Sequence, residues 1–207
     1  MAGKTPEVRH PLARTMEGHR LILGSKSPRR VALLEELGLE FEVRPSDADE
    51  SHPDDVNPAT LPLILAKRKA EALIGTLAET DILITADTIV ALEGRVLEKP
   101  GTIDRAKSFL RELSGKWHTV YTGYCVRMGR KEIDGTVETK IHFCPLTSRE
   151  IDYYLSRCEV LDKAGAYGIQ DWIGLMAADE VRGSYNNVIG LPTSYIYRAI
   201  AELTGVK

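Results

Sequence analysis

Cysteine is scarce in this chain and badly placed for pairing: Cys125, Cys144 and Cys158 are odd in number, form no C-x-x-C pair and lie near no histidine cluster. This argues against a disulfide framework and a structural zinc site, and it fits a reducing cytoplasm. Neither sign of charge dominates, with 27 Lys+Arg against 30 Asp+Glu, a net charge of -3 and a pI near 6.0. A global field that attracts polyanions is thereby excluded, so any cationic function must be local, and direct nucleic-acid binding ranks last among the readings. No apolar run approaches the ~18 residues of a membrane span. The opening MAGKTPEVRHPLARTMEGHR has charges but no apolar h-region. The expectation is a cytoplasmic protein that engages neither membrane nor nucleic acid. The Walker A order G-x-x-x-x-G-K-S/T is missing, and no Ser-His-Asp or Cys-His order stands out, so His118 and His142 read as structural.

What is present is enough chain, 207 residues, for one large domain or two closely joined lobes. Residues 1–19 show no lasting apolar period and are expected to be a flexible extension, leaving 20–207 as a single α/β domain. Leu21, Ile22 and Leu23 read as a strand, and Val31, Leu33, Leu34 and Leu37 as a helix after Pro28 that stops at Gly38. Phe41 and Val43 suggest a brief strand before the acidic loop SDADESHPDD. Leu61 to Leu77 has the intervals of a half-buried helix with one charged face carrying Lys67, Arg68, Lys69 and Glu71. DILITA, Asp81 to Ala86, reads as a buried strand ending on Asp87. Val90 to Leu97 is expected as a hairpin turning at Glu93-Gly94, and Thr102 as the cap of a helix to about Leu113. Thr119 to Met128 and Thr136 to Phe143 alternate as strands, suggesting a β-rich lobe. Ser148 with Glu150 opens a helix through Leu155, and Pro192 starts the last one, through Leu203. The hairpins interrupting the alternation imply an α/β fold with a mixed twisted sheet flanked by helices.

Chemistry concentrates in a few stretches. In GSKSPRR, Ser25, Ser27 and the free amides of a helix start offer donors, while Lys26, Arg29 and Arg30 add charge. The segment is either a phosphate cradle or a solvated turn with Ser27 as an ordinary cap. Asp87 and Thr88, directly after a buried strand, either gather a metal or water, or close a turn. Glu50, with Asp47 and Asp49, lies in the acidic loop; Lys69 and Lys99 lie on the charged helix and in LEKP. Carboxylates for Mg²⁺ or Mn²⁺ beside cations for phosphate oxygens are what phosphoanhydride hydrolysis needs. DKAGAYGIQ ends on Gln170, whose amide can read a base edge, or it is only a close-packed glycine connection. Ser184 and Asn186 in GSYNNVIGLP could face a ligand or close their loop.

Taken in series, S-x-S-P-R-R, A-D-T-I-V, L-E-K-P, D-K-A-G-A-Y-G-I-Q and G-S-Y-x-x-V-x-G-L-P resemble the Maf family of nucleoside triphosphate pyrophosphatases over about residues 20 to 205. That resemblance implies a nucleotide cleft, a divalent cation and hydrolysis between the α- and β-phosphates. It assigns proton acceptance to Asp87, specificity to Arg29, Thr88 and Gln170, phosphate contact to Lys69 and Lys99, and a metal or water to Glu50. Asp87 is also placed among the metal ligands. The ADT and AYGIQ motifs look like those of the dTTP/UTP branch, whereas the 7-methyl-GTP branch usually shows S-D-Q in place of ADT. One departure stands out: Asp-Trp-Ile-Gly follows Gln170 where the family often has glycine. The resemblance also implies a possible homodimer, and it leaves a rival reading, a nucleotide-binding regulator of septum formation with little turnover.

Overall fold

A computed structural model describes residues 10–53 and 55–205. Among them the chain forms seven strands in one mixed sheet: Leu21–Leu23 (β1), Glu42–Val43 (β2), Ile82–Leu92 (β3), Arg95–Leu97 (β4), Trp117–Met128 (β5), Lys131–Phe143 (β6) and Ala178–Arg182 (β7). Their order is β2-β1-β3-β5-β6-β7, with β4 paired to β3. The β1 pairings with β2 and β3 are parallel; the rest are antiparallel. The helices are Pro28–Glu36 (α1), Leu61–Leu73 (α2), Ile103–Leu113 (α3), Ser148–Arg157 (α4), Trp172–Ala177 (α5), Tyr185–Ile189 (α6) and Thr193–Leu203 (α7). None among the described residues is long and apolar enough to cross a membrane.

Local signals account for most boundaries. Pro28 presets the first turn of α1, where its missing N–H costs nothing. The helix ends in a Schellman motif: Leu39 N donates to Leu34 O at 3.3 Å and Gly38 N to Glu35 O at 2.8 Å, with Gly38 at φ 72°. Glu93 and Gly94, at φ 52° and 81°, turn the β3–β4 hairpin. Thr102 accepts from Arg105 N to cap α3, and Thr147 with Glu150 builds a reciprocal capping box on α4. The β-rich part expected over 119–143 is the long β5–β6 hairpin.

Two expectations are corrected. Residues 10–19, expected to be flexible, form consecutive turns held on the domain: Leu12 is 1% exposed, and His10 Nε2 lies 3.0 Å from Leu37 O. One buried leucine here supplies about 1.5–3 kcal/mol of docking, which periodicity cannot register. Residues 1–9 lie outside the described residues. The strand expected to end on Asp87 instead continues to Leu92, because β5 pairs with it without interruption from Ile82 to Ala91.

The other edge of β3 positions the site. There β1 covers Ile82–Ile84 and β4 covers Val90–Leu92. Among the described residues, 85–89 have no strand on that side, so the sheet has a gap where β1 stops. Alternation sends Leu83, Thr85 and Ile89 toward α2, where Thr85 Oγ1 donates to Ala66 O at 2.7 Å. Ile84 and Ala86 face the opposite core, built with Leu34 of α1 and Ile196 and Ile200 of α7. Val90 and Leu92 join a second core with Leu110 of α3 and Ile151 of α4. Gly123 lets α2 lie directly on β5: a Cβ there would sit 2.2 Å from Leu63 N.

Candidate active site

The gap in the sheet opens into a cavity of about 370 Å³. Ten of the residues singled out from the sequence line it, Ser25, Ser27, Arg29, Arg30, Glu50, Lys69, Asp87, Thr88, Lys99 and Gln170, with Lys26 beside them. Six cationic side chains and three carboxylates face this space, a local excess of positive charge on a chain whose net charge is -3. An anion therefore finds here what the surface as a whole withholds.

Asp87 and Thr88 are adjacent on β3, so they point to opposite faces of the sheet. On the α2 face, Lys69 Nζ lies 2.5 Å from Asp87 Oδ1 and 2.8 Å from Glu50 Oε1. Lys69 was expected on the charged side of α2. It lies instead in the buried stripe with Leu61, Leu65, Ala66 and Leu73, because residues four and eight positions along a helix return to one face. Burial would raise the Glu50 carboxyl, but Lys69, Lys99 and Arg30 outweigh it and hold the group below its ordinary value. Lys99 reaches the same carboxylate at 3.7 Å with its side chain 62% exposed.

On the other face, Thr88 Oγ1 lies 2.9 Å from Thr122 Oγ1 and receives Arg30 Nη2 at 3.1 Å. Arg30 is buried, and it donates as well to Gly190 O at 2.7 Å and Ser25 Oγ at 3.0 Å. Burial lowers its pKa, while Asp87 and Glu50 oppose that shift. Each of its three nitrogens thus donates once to the protein, so Arg30 braces the cradle, and two of its five N–H groups stay outside these bonds. Ser25 Oγ also accepts from Ser27 N at 3.2 Å. Ser27 occupies the cap position of α1 without a side-chain cap bond, which leaves its hydroxyl free of the ordinary capping role.

Arg29 crosses the mouth to Asp162, Nη1 to Oδ2 at 2.8 Å. Burial would raise the Asp162 carboxyl, but Arg29 and Lys163 hold it low. Asp162 and Lys163 line the cavity and were given no role from sequence, although they head the DKAGAYGIQ stretch that was singled out. The apolar wall of Val90, Val120, Tyr167, Val188 and Ile189 was also missed, since each reads as ordinary core. Gln170, exposed at the end of its segment, completes the rim.

Other candidates fall away. Asp49 turns to Ser51, accepting from its N at 2.9 Å and its Oγ at 2.7 Å, and Asp47 points outward beside Lys26. Ser184 caps α6 through Asn187 N, and Asn186 Nδ2 donates to Thr193 Oγ1 at 2.8 Å, so both close their loop. Among the described residues, no group of three or more His, Cys, Asp or Glu side chains gathers as a metal site. The Glu50 and Asp87 oxygens are nonetheless hard donors, held at one ammonium group. They suit a cation such as Mg²⁺, which takes one or two carboxylates and completes its shell with water and substrate oxygens.

A family model described as Maf-like protein matches residues 20–203. A dTTP/UTP pyrophosphatase of Parabacteroides distasonis is 42% identical over 186 residues, covering 89% of this chain and 96% of that protein. Another, from Bacteroides thetaiotaomicron, is 40% identical over 189 residues, covering 91% and 98%. A solved nucleoside-triphosphatase / dITP/XTP pyrophosphatase of Mycobacterium abscessus aligns over 89% of this chain and 94% of its own at 12% identity, with a TM-score of 0.42. Matched along nearly all of its described length, the chain belongs to the Maf-like protein family.

Proposed function

We propose that this protein is a nucleoside triphosphate pyrophosphatase that hydrolyses the α-β phosphoanhydride of dTTP and UTP, releasing the nucleoside monophosphate and pyrophosphate. The names of its relatives support the substrate class. The observation that carries the chemistry is the gap at β3, which exposes Asp87 with Lys69 on one face and Thr88 with Arg30 on the other to a single cavity.

The triphosphate lies against the Ser25–Ser27 turn, with Lys69 and Lys99 offsetting its charge. Asp87 accepts the proton of the attacking water. A carboxylate is by nature a weak base for that task. Glu50 and Asp87 would hold a divalent cation, which when bound would supply Lewis acidity to a water and screen phosphate charge. Lys69 keeps the two carboxylates together. Arg29, Thr88 and Gln170 surround the base, with Gln170 offering both a donor and an acceptor to the edge of a pyrimidine. Thr88, fixed by Thr122 and Arg30, limits how deep the ring can enter.

The test is a panel of nucleoside triphosphates assayed for pyrophosphate with Mg²⁺, with Mn²⁺ and with neither. Metal-dependent release of pyrophosphate, fastest from dTTP and UTP, is expected. Orthophosphate as product, or equal rates with purines, would overturn the reading. Binding without turnover would favour the regulatory role. Sedimentation of the same sample tests the homodimer.

A further inference from the structure

We infer that Asp171, acting through Tyr154 and Lys163, is a positioning residue that fixes the cavity-lining segment 163–170 and thereby sets base selectivity. The inference rests on the nucleotide-hydrolase reading above.

Asp171 stands at the cap position of α5, yet its carboxylate makes no cap bond to that helix. It turns back instead. Tyr154 OH, from the buried face of α4, donates to Asp171 Oδ2 at 2.8 Å, and Lys163 Nζ lies 3.6 Å from the same oxygen. Tyr154 in turn accepts from Gly168 N at 3.2 Å. Burial, and then Asp171 itself, push the Tyr154 phenol upward, so it stays protonated and the direction of this relay is fixed. The carboxylate packs so tightly on the segment that a Cβ on Gly168 would come within 2.7 Å of Oδ2.

One carboxylate thus gathers three points of a nine-residue stretch: Lys163 at its start, Gly168 through the phenol, and the residue bonded to Gln170 at its end. Lys163, Gly168 and Gln170 all line the cavity. A hydrogen bond to a charged group resists displacement more strongly than a neutral one. The segment has further tethers, Tyr167 OH against His118 Nε2 at 2.8 Å and Gly165 N on Glu98 O at 3.2 Å, but both hold its middle; at the Gln170 end the Asp171 carboxylate reinforces the turn that Asp171 N closes on Gly168 O at 3.0 Å. Asp171 and Tyr154 are absent from the cavity wall, so their effect on a ligand passes through the residues they hold.

Asp171→Asn and Tyr154→Phe are nearly isosteric; the first weakens the contacts to Tyr154 and Lys163, and the second removes both bonds of the phenol, so the Tyr154–Asp171 link is common to the two. In the full-length protein, each is expected to lower the kcat/KM ratio for UTP over GTP about tenfold, through KM, with kcat for UTP within about twofold. The double variant is expected to be no worse than the more affected single one, because both changes break the same connection. Unchanged discrimination in both variants, additive losses, or a fall confined to kcat would overturn the inference. Equilibrium dissociation constants for UTP and GTP test it independently of turnover. If the wild type binds UTP preferentially but hydrolyses nothing, the hydrolase reading falls, while loss of that preference in the variants still sustains the positioning role. Equal binding of UTP and GTP by the wild type overturns it.

Discussion

Lys69→Met is the most informative single change, because the methionine keeps the apolar stem of α2 and removes only the charge between two carboxylates. Lys69 Nζ lies 2.8 Å from Glu50 Oε1, so the substitution removes a close attraction. Opposite unit charges at that distance attract by about 1.5 kcal/mol in bulk water and by about 6 kcal/mol at an effective dielectric of ~20. The Glu50 side chain is 47% exposed, and solvent screening brings the value to the lower end, about 1–2 kcal/mol. That energy corresponds to about one pH unit. The sign follows from Glu50: the lysines and Arg30 now outweigh burial and hold its carboxyl low, so losing Lys69 raises it. The acid limb of the kcat/KM profile for UTP should therefore move up by about one unit. Loss of a preorganised donor to the phosphates should also lower kcat by about 10²–10³. Initial rates of pyrophosphate release between pH 5 and 9, at saturating Mg²⁺, measure both effects. An acid limb that stays in place, with kcat within threefold of wild type, would refute the reasoning.

Other changes probe separate links. Asp87→Asn should lower pyrophosphate release by about 10²–10⁴ while UTP binding by calorimetry stays within a few fold; near-normal turnover would remove Asp87 from proton acceptance. Gly123→Ala would put a Cβ 2.2 Å from the backbone of α2, so that helix must shift, and with it Lys69. A fall of several degrees in Tm together with lost activity is expected, and an unchanged melting curve would contradict the close approach. Asp81, 3% exposed, accepts Arg20 Nε at 3.1 Å, Arg20 Nη2 at 2.7 Å and Ala78 N at 2.8 Å. The hydrogen bonds from Arg20 hold its carboxyl low against burial, so its contribution is present above the ordinary carboxylate range and lost as pH falls through the depressed value. Asp81→Asn should cost about 1–3 kcal/mol in urea unfolding at pH 7, and progressively less toward pH 3; a pH-independent penalty would refute the assignment.

The sequence made the site's residues legible more readily than their partners. Turn chemistry announced Pro28, Gly38, Glu93-Gly94 and Thr102, since each of these roles is satisfied within a few residues. The continuation of β3 past Asp87 was hidden because it depends on β5, some thirty residues away, and not on local alternation. Lys69 looked solvated within the run Lys67-Arg68-Lys69, although its four- and eight-residue offsets from Leu65 and Leu61 carried the signal. Residues 172–189 resisted reading for another reason. Helices α5 and α6 span six and five residues, too few to show a period, and β7 is an exposed edge strand without a buried alternation. Asp162 was visible as a residue but not as the partner of Arg29, 133 positions away.

The gap beside β3 carries a consequence for how this enzyme class can diversify. Asp87 and Thr88 are consecutive, so the proposed proton acceptor and the hydroxyl proposed to sit beside the base ride on α-carbons only about 3.8 Å apart. Any substitution at 88 that tilts the strand also re-aims 87, and a change of nucleotide preference made there carries a penalty in turnover. The segment 163–170 has no such covalent tie to the reacting centre. New substrate ranges should therefore arise more freely from the far wall of the cavity than from the strand proposed to perform the chemistry.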